Sequence, residues 1–86
     1  MNLVILRTDG TVIVKPNVEQ PSLKELQNLV DGYIERVPCT YKSKKEVMII
    51  NEEGRLKSLP VNMYASDYYN GVIVGDAVIL QGGDLK

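Results

Sequence analysis

The fold class of this chain follows from one segment, SLKELQNLVDG at residues 22–32. Ser22 lies three residues before Glu25, and this spacing predicts a capping box at the start of a helix. The apolar residues that follow recur with the period of a helix, and polar residues occupy the opposite face. Gly32 predicts the helix end. We therefore expect one amphipathic helix over about residues 23–31, packed by one face on a sheet.

The N-terminal residues predict a β-hairpin. Two short apolar runs, residues 3–6 and 12–14, flank the dipeptide Asp9-Gly10. Asp-Gly between β-branched runs favours a tight turn, because both central residues of such a turn take a positive φ. We therefore expect the first two strands to pair antiparallel.

The remaining apolar runs predict three or four further short strands in a mainly antiparallel sheet. Residues 33–37 predict a strand that ends at Pro38. Residues 47–50 are apolar without alternation, which is typical of a central strand covered on both faces. A short strand is expected at residues 55–59, and a last strand within residues 72–80. The fold class is therefore α+β.

The segments between these strands are expected to be loops and turns. Residues 39–45 are polar and are expected to cross between two strands. Residues 51–54 predict a turn in which Gly54 takes a conformation that a side chain would resist. Residues 61–70 predict irregular structure or one helical turn, and Gly75 predicts a turn or a bulge before the last strand.

Length and composition indicate one small domain over residues 1–86 with few catalytic residue types. The chain is 44% hydrophobic and 24% charged, and it contains no His, no Trp, no Phe and one Cys. Serine and cysteine nucleophiles are normally activated by an imidazole, and zinc sites normally need several His or Cys ligands. We therefore expect a protein that is not an enzyme and that needs no metal and no cofactor.

Charge, hydropathy and cysteine content limit the classes of partner and the cellular compartment that we expect. The formal charge is −1 and the isoelectric point is about 5.3, whereas nucleic-acid binders usually carry a basic surplus. No apolar run approaches the roughly 20 residues of a membrane-spanning helix, so no membrane partner is expected. A single cysteine, Cys39, fits a reducing cytoplasm. A domain of this size buries only about 60–65% of its unfolded surface, so a homodimer would add stability.

Four short motifs resemble those of one protein family. They are Gly32-Tyr33-Ile34-Glu35, Asn51-Glu52-Glu53-Gly54-Arg55-Leu56, Leu59-Pro60-x-Asn62-x-x-Ala65 and Ile73-x-Gly75. Together they are similar to a family of small proteins of unknown function that are carried by bacteriophages, plasmids and the bacteria and archaea that host them. The resemblance implies an origin in a mobile element, and hence an accessory role against or alongside host machinery. It identifies no target, and the segment after Ala65 is richer in Tyr than the family pattern leads us to expect.

The segment from Asn62 to Tyr69 carries the main candidate binding residues. Asn62 follows the rigid Pro60 and presents an amide that can donate and accept hydrogen bonds. Tyr64, Tyr68 and Tyr69 offer flat rings with a polar tip, which suit base stacking or protein contacts. The alternative is structural, with Asn62 as the cap of a turn and Tyr64 in the core.

Charged residues supply the other candidates. Arg55 and Lys57 would share one face of a strand and could contact an anion there, although a solvated strand face is the commoner explanation. The basic run at residues 42–45, with Tyr41, could follow single-stranded nucleic acid, but a solvated loop is favoured. The adjacent glutamates of residues 51–54 are expected to be a solvated hairpin tip rather than an acid–base pair.

We expect a non-catalytic accessory protein of a phage or other mobile element that binds a host protein or a host-made small ligand. Anti-defence activity is the concrete version, as an inhibitor of a host protein or as a sponge for a nucleotide signal. In a sponge, Arg55 or Lys57 would face the phosphates and tyrosines would flank the base. The alternatives are a small nucleic-acid-binding regulator and, less favoured, a small hydrolase that uses carboxylates and a metal.

Overall fold

The computed structural model describes residues 1–83, which form five strands and two helices. The elements are β1 (Asn2–Leu6), β2 (Val12–Lys15), α1 (Leu23–Val30), β3 (Ile34–Tyr41), β4 (Lys44–Asn51), α2 (Met63–Tyr69) and β5 (Ala77–Gln81). The strands form one antiparallel sheet in the order β2-β1-β5-β4-β3. The last strand of the chain therefore lies at the centre of the sheet, and β2 and β3 are its edges.

The sheet separates two apolar layers, because neighbouring residues of a strand point to opposite faces. The layer under α1, called the α1 face below, contains the buried residues Leu3, Ile5, Leu26, Val30, Ile49, Val78 and Leu80. The opposite layer, the α2 face, contains Val4, Leu6, Val37, Cys39, Tyr41, Met48, Ala65, Ile73, Ala77 and Ile79. The predicted α+β class is confirmed, with a second helix that the sequence did not predict as an element.

Helix α1 begins and ends close to the predicted positions. The Ser22 hydroxyl accepts a hydrogen bond from the Glu25 N–H (3.1 Å), and a Glu25 carboxylate oxygen accepts one from the Ser22 N–H (3.4 Å), so the capping box is confirmed. At the other end, Asp31 rather than Gly32 takes the left-handed conformation (φ 59°). Gly32 is required for a close approach instead, because a Cβ there would lie 2.7 Å from Nδ2 of Asn51.

Strand β3 continues through Pro38 to Tyr41, so the predicted end at Pro38 is wrong. β3 is an edge strand, and proline is tolerated on an edge where its missing N–H would point away from the neighbouring strand. The predicted polar crossing over residues 39–45 is wrong as well, because residues 39–41 end β3, residues 44–45 begin β4, and only residues 42–43 connect the two strands. The turn residues, Lys42 and Ser43, both have a positive φ (50° and 63°), which is typical of a two-residue hairpin turn.

Three other predictions about strands agree with the structure. β1 and β2 pair antiparallel across the Asp9-Gly10 turn, as predicted, although Gly10 takes a positive φ (89°) there and Asp9 does not. β4 is covered on both faces, since Met48 and Ile49 point to opposite sides and both are buried. β5 begins after Gly75, which takes a positive φ (80°), so this segment is a turn followed by a strand rather than a bulged strand.

Residues 52–70 differ most from the predictions. Residues 55–59, predicted as a strand, form consecutive turns, in which the N–H of Leu59 donates to the carbonyl of Gly54 (3.0 Å). Gly54 lies outside the left-handed region, contrary to the prediction. It is required for packing instead, because a Cβ there would lie 2.9 Å from Cγ2 of Val74. The segment predicted as irregular structure or one helical turn contains the seven-residue helix α2.

Candidate functional site

An open groove lies between the C-terminal end of α2 and the edge strand β3. Its volume is about 640 Å³, which is within the range of small-molecule sites. It is lined by Pro38, Cys39, Thr40, Lys45, Asp67, Tyr68, Tyr69 and Asn70. Two residues predicted from the sequence, Tyr68 and Tyr69, lie here together, and we call this surface the tyrosine groove.

Tyr68 is held in the groove by an aromatic contact with Tyr41 of β3. The ring centroids are 5.0 Å apart and the ring planes are at 82°, which is an edge-to-face pair. Burial and the neighbouring phenol of Tyr41 raise the pKa of the Tyr68 hydroxyl above its ordinary value of 10.0, so this group stays neutral and can donate a hydrogen bond. Tyr69 is exposed. The groove thus offers one fixed ring and one exposed ring.

The lysines of the β3–β4 turn lie beside these rings. Lys45 lines the groove, and the ammonium of Lys42 is 5.6 Å from the ring centroid of Tyr41, within the range of a cation–π contact. Both lysines are exposed. The sequence predicts a solvated loop at residues 42–45, whereas the tertiary structure brings Lys45 to the tyrosines of α2 and Lys42 to Tyr41 of β3.

Asn62 is the centre of a buried hydrogen-bond network. Its side chain is 0% exposed. Oδ1 accepts a hydrogen bond from the N–H of Ala65 (3.1 Å), which caps α2, and Nδ2 donates to the carbonyls of Leu6 (2.8 Å) and Gly75 (2.9 Å). Both polar atoms of the amide are therefore used within the fold. They fasten the start of α2 to the end of β1 and to the turn before β5.

The other sequence-predicted residues lie outside the tyrosine groove. Tyr64 is exposed on α2. Arg55 lines a smaller pocket of about 120 Å³, where its guanidinium donates a hydrogen bond to the Val72 carbonyl (3.4 Å). Lys57 lines a third depression, near the end of α1. Arg55 and Lys57 face different depressions because residues 55–59 are turns rather than a strand.

Asn51 forms a second network that sequence reasoning missed. It is buried, its Nδ2 donates to the carbonyls of Val30 (3.0 Å) and Asp31 (3.1 Å), and its Oδ1 accepts from the N–H of Glu53 (2.7 Å). The side chain therefore joins the C-terminal end of α1 to the end of β4. Its position directly after the apolar run 47–50 is the signal that could have revealed it, since a buried amide must find hydrogen-bond partners.

One family matches nearly the whole chain. Residues 1–85 match the family described as a domain of unknown function, DUF3846. The chain belongs to this family. No curated protein and no solved structure matches it. Membership in DUF3846 agrees with the expected resemblance to a family of unknown function.

Reactive and metal-ligating side chains are few in the described part of this DUF3846 chain. Cys39 is buried, and burial, together with the nearby Glu46 carboxylate, raises the pKa of its thiol to about 11. Within residues 1–83, no group of three or more His, Cys, Asp or Glu side chains is placed to hold a metal ion. Neither α1 nor α2 has the length and apolar character that crossing a membrane would require.

An apolar patch borders the smaller pocket of this DUF3846 chain. Leu56 is 85% exposed, and Val72 beside the same pocket is also exposed. Arg55 and Glu35 line the pocket with them. An apolar centre with an arginine and a carboxylate around it resembles a protein contact surface. We call these four residues the Leu56 patch.

Proposed function

We propose that this chain is a non-catalytic accessory protein of a bacteriophage or other mobile element, which binds a host-made nucleotide in the tyrosine groove. It acts in the cytoplasm of the bacterial host, and in its anti-defence form it sequesters a nucleotide signal. The mobile-element origin is supported by the motifs at residues 32–35, 51–56, 59–65 and 73–75. The observation that carries the ligand class is the meeting of two tyrosine rings and the Lys45 side chain in one groove, with Lys42 against the neighbouring ring of Tyr41.

Each part of a nucleotide has a chemically matched side chain at the groove. The exposed ring of Tyr69 offers a face to a base, and base–aromatic stacking is worth about 1–3 kcal/mol. Lys45 supplies a cation for a phosphate, and Lys42 and Lys44 add positive charge at the same end of the β3–β4 hairpin. The Asp67 carboxylate can accept a hydrogen bond from a ribose hydroxyl or an exocyclic amino group.

A panel of mononucleotides, dinucleotides and cyclic nucleotides tests this proposal. We expect at least one to raise the Tm of the purified protein, and isothermal titration calorimetry then gives its affinity. Tyr69→Ala should weaken the affinity about 5- to 150-fold, which corresponds to the loss of one base–aromatic stack. Lys45→Ala should weaken it as well, and less so at high salt, because the phosphate contact is screened.

Two exposed residues away from the groove serve as matched controls. Tyr33→Ala removes an exposed ring and Lys24→Ala removes an exposed ammonium on α1. Neither residue lines the groove, so both variants should bind with wild-type affinity. A panel without any shift in Tm would refute the proposal, and so would controls that weaken binding as much as the groove variants do.

A single-stranded oligonucleotide in the same panel separates the sponge from a nucleic-acid-binding regulator. A regulator should bind the oligonucleotide far more tightly than any mononucleotide, with an affinity that falls steeply as salt rises. Replacing Lys44 and Lys45 should then abolish binding. A sponge should instead prefer one small nucleotide and saturate at one ligand per groove.

A host protein is the second candidate partner, and the exposure of Leu56 favours it. The Leu56 side chain is 85% exposed and contributes little to this fold, whereas together with Val72 it could fill a pocket on a partner. Leu56→Asp should abolish capture of such a protein while leaving nucleotide binding in the tyrosine groove unchanged. Capture that is equal for both forms would remove the Leu56 patch as the contact surface.

A further inference from the structure

The two edges of the sheet differ in their capacity to pair with another strand. Directly before β3, the Tyr33 carbonyl accepts the N–H of Glu52 (2.9 Å). Hydrogen bonding along a strand alternates, so the odd-numbered residues of β3 bond to β4. The outward backbone groups therefore belong to even-numbered residues, among them Pro38. A proline has no N–H to donate, and it is one of the devices that keep an edge strand from pairing.

The β2 edge has no such interruption. The N–H of Arg7 donates to the carbonyl of Thr11 (2.9 Å), so the odd-numbered residues of β2 bond to β1. The N–H and C=O groups of Val12 and Val14 therefore point outward. Their side chains, on the α2 face, are 45% and 50% exposed. This edge offers unpaired backbone groups and apolar side chains at the same two positions.

We propose that β2 pairs antiparallel with β2 of a second copy of this chain, so that one sheet runs through both copies. Outward backbone groups can bond only to outward backbone groups. The register that places Val12 opposite Val14 of the other copy makes two such pairs, related by a twofold axis at Ile13, and each pair exchanges both hydrogen bonds. Placing either valine opposite its own copy makes only one such pair.

The side chains at the ends of β2 are compatible in this register. Thr11 lies opposite Lys15 of the second copy, and directly opposed side chains have their Cβ atoms about 4.5–5.5 Å apart. Oδ1 of Asp9 accepts the N–H of Thr11 (2.8 Å) on the side of β1, so Lys15 of the second copy faces a neutral threonine. The same pairing recurs at the other end by symmetry. No like charges face each other.

The tyrosine groove lies at the opposite edge of the sheet, beside β3. Self-association through β2 therefore leaves the groove open in both copies. The inference is independent of the proposed function, since either could hold without the other.

Register-specific cross-linking tests the proposal. In Ile13→Cys the two thiols face each other across the twofold axis, and we expect a disulfide-linked dimer under mild oxidation. Val14→Cys is the matched control, because the two copies of residue 14 are offset by two residues along the strands and lie beyond the reach of about 7 Å between Cα atoms. Val14 is the more exposed position. Equal or faster cross-linking of Val14→Cys would overturn the proposed register.

Removal of an outward N–H tests the association itself. Wild-type protein should show a dimer mass in light scattering that dissociates on dilution. Val14→Pro removes an outward donor from each copy and should raise the dimer dissociation constant about tenfold or more. Arg36→Pro removes an outward donor from the β3 edge and should leave the dimer intact. Urea unfolding of both variants confirms that each is folded, and a wild-type monomer at every concentration would overturn the proposal.

Discussion

Replacing Asn62 by alanine should remove a large part of the free energy of unfolding. The wild-type side chain caps α2 through the Ala65 N–H and binds the buried carbonyls of Leu6 and Gly75. A role in ligand contact alone would leave folding unchanged, and a role as a simple cap would cost about 1 kcal/mol. The structure predicts a larger loss, because the two carbonyls lose their donor as well.

The magnitude follows from these contacts. Loss of the cap costs about 1 kcal/mol, and the buried Gly75 carbonyl left without a donor costs about 1–3 kcal/mol. Loss of the hydrogen bond to Leu6, which is also paired with Ala77 of β5, costs about 1 kcal/mol. We therefore expect a loss of about 3–5 kcal/mol. A domain of 86 residues has a total free energy of unfolding of roughly 4–13 kcal/mol. Asn62→Ala should thus lose at least about a quarter of the free energy of unfolding.

Urea unfolding followed by circular dichroism measures this loss. Asn62→Ser separates the two contributions, because serine keeps a capping oxygen but cannot donate to both carbonyls. Asn62→Asp also keeps the cap, and it places a carboxylate against two carbonyl oxygens, which raises the pKa of that carboxyl in the folded state. Its stability should therefore be highest below pH 4, about the ordinary value for Asp, and should fall as the pH rises through the raised pKa.

The reasoning would be refuted by an Asn62→Ala protein that loses less than about 1 kcal/mol, the value for a cap alone. An Asn62→Ser protein as stable as the wild type would contradict the role of the two carbonyl contacts. Loss of nucleotide binding without loss of stability would instead make Asn62 a ligand contact.

Three further predictions concern single side chains. In urea unfolding, Gly75→Ala should lower the free energy of unfolding more than Gly10→Ala does. Both glycines have a positive φ, but of the two only Gly75 lies where a Cβ would meet a neighbour, Cδ1 of Leu59 at 2.8 Å. Equal losses would contradict this packing argument. Asn51→Ala should cost about 2–4 kcal/mol, because the carbonyls at the end of α1 lose their donor, and a Tm within a few degrees of the wild type would contradict this. Burial raises the pKa of the Cys39 thiol from 9.0 to about 11, so the stabilisation by the neutral thiol is present below pH 9 and is lost as the pH rises to about 11. Cys39→Ala should therefore flatten this part of the pH profile of urea unfolding. An unchanged profile would count against the burial of the thiol.

The local elements could be predicted where the signals lie within a few residues of one another. The capping box of α1 joins Ser22 to Glu25, and the first hairpin turn depends on Asp9-Gly10. The prediction failed where a distant contact decides the structure. α2 has seven residues, too few for a stable isolated helix, and Asn62 holds it by a hydrogen bond to Leu6, 56 residues earlier in the chain.

The candidate site could likewise be predicted from the sequence only in part. Tyr68 and Tyr69 could be selected from the sequence because they form an unusual aromatic run. The lysines beside them could not be paired with them, since Lys45 reaches the groove only through the β3–β4 hairpin and the packing of α2 on β3. Arg55 and Lys57 were expected to join the tyrosines, and the turns at residues 55–59 direct them to other depressions.

The sequence by itself determined the α+β class, the first hairpin, the central apolar strand and helix α1, because periodicity and capping act over one or two turns of chain. Only the tertiary structure decided the strand order, the tolerance of Pro38 and the position of the groove. β5 lies between β1 and β4, so its pairing partners come from distant parts of the chain. Pro38 is tolerated because β3 is an edge strand, and the order of all the strands in the sheet decides which strand lies at the edge.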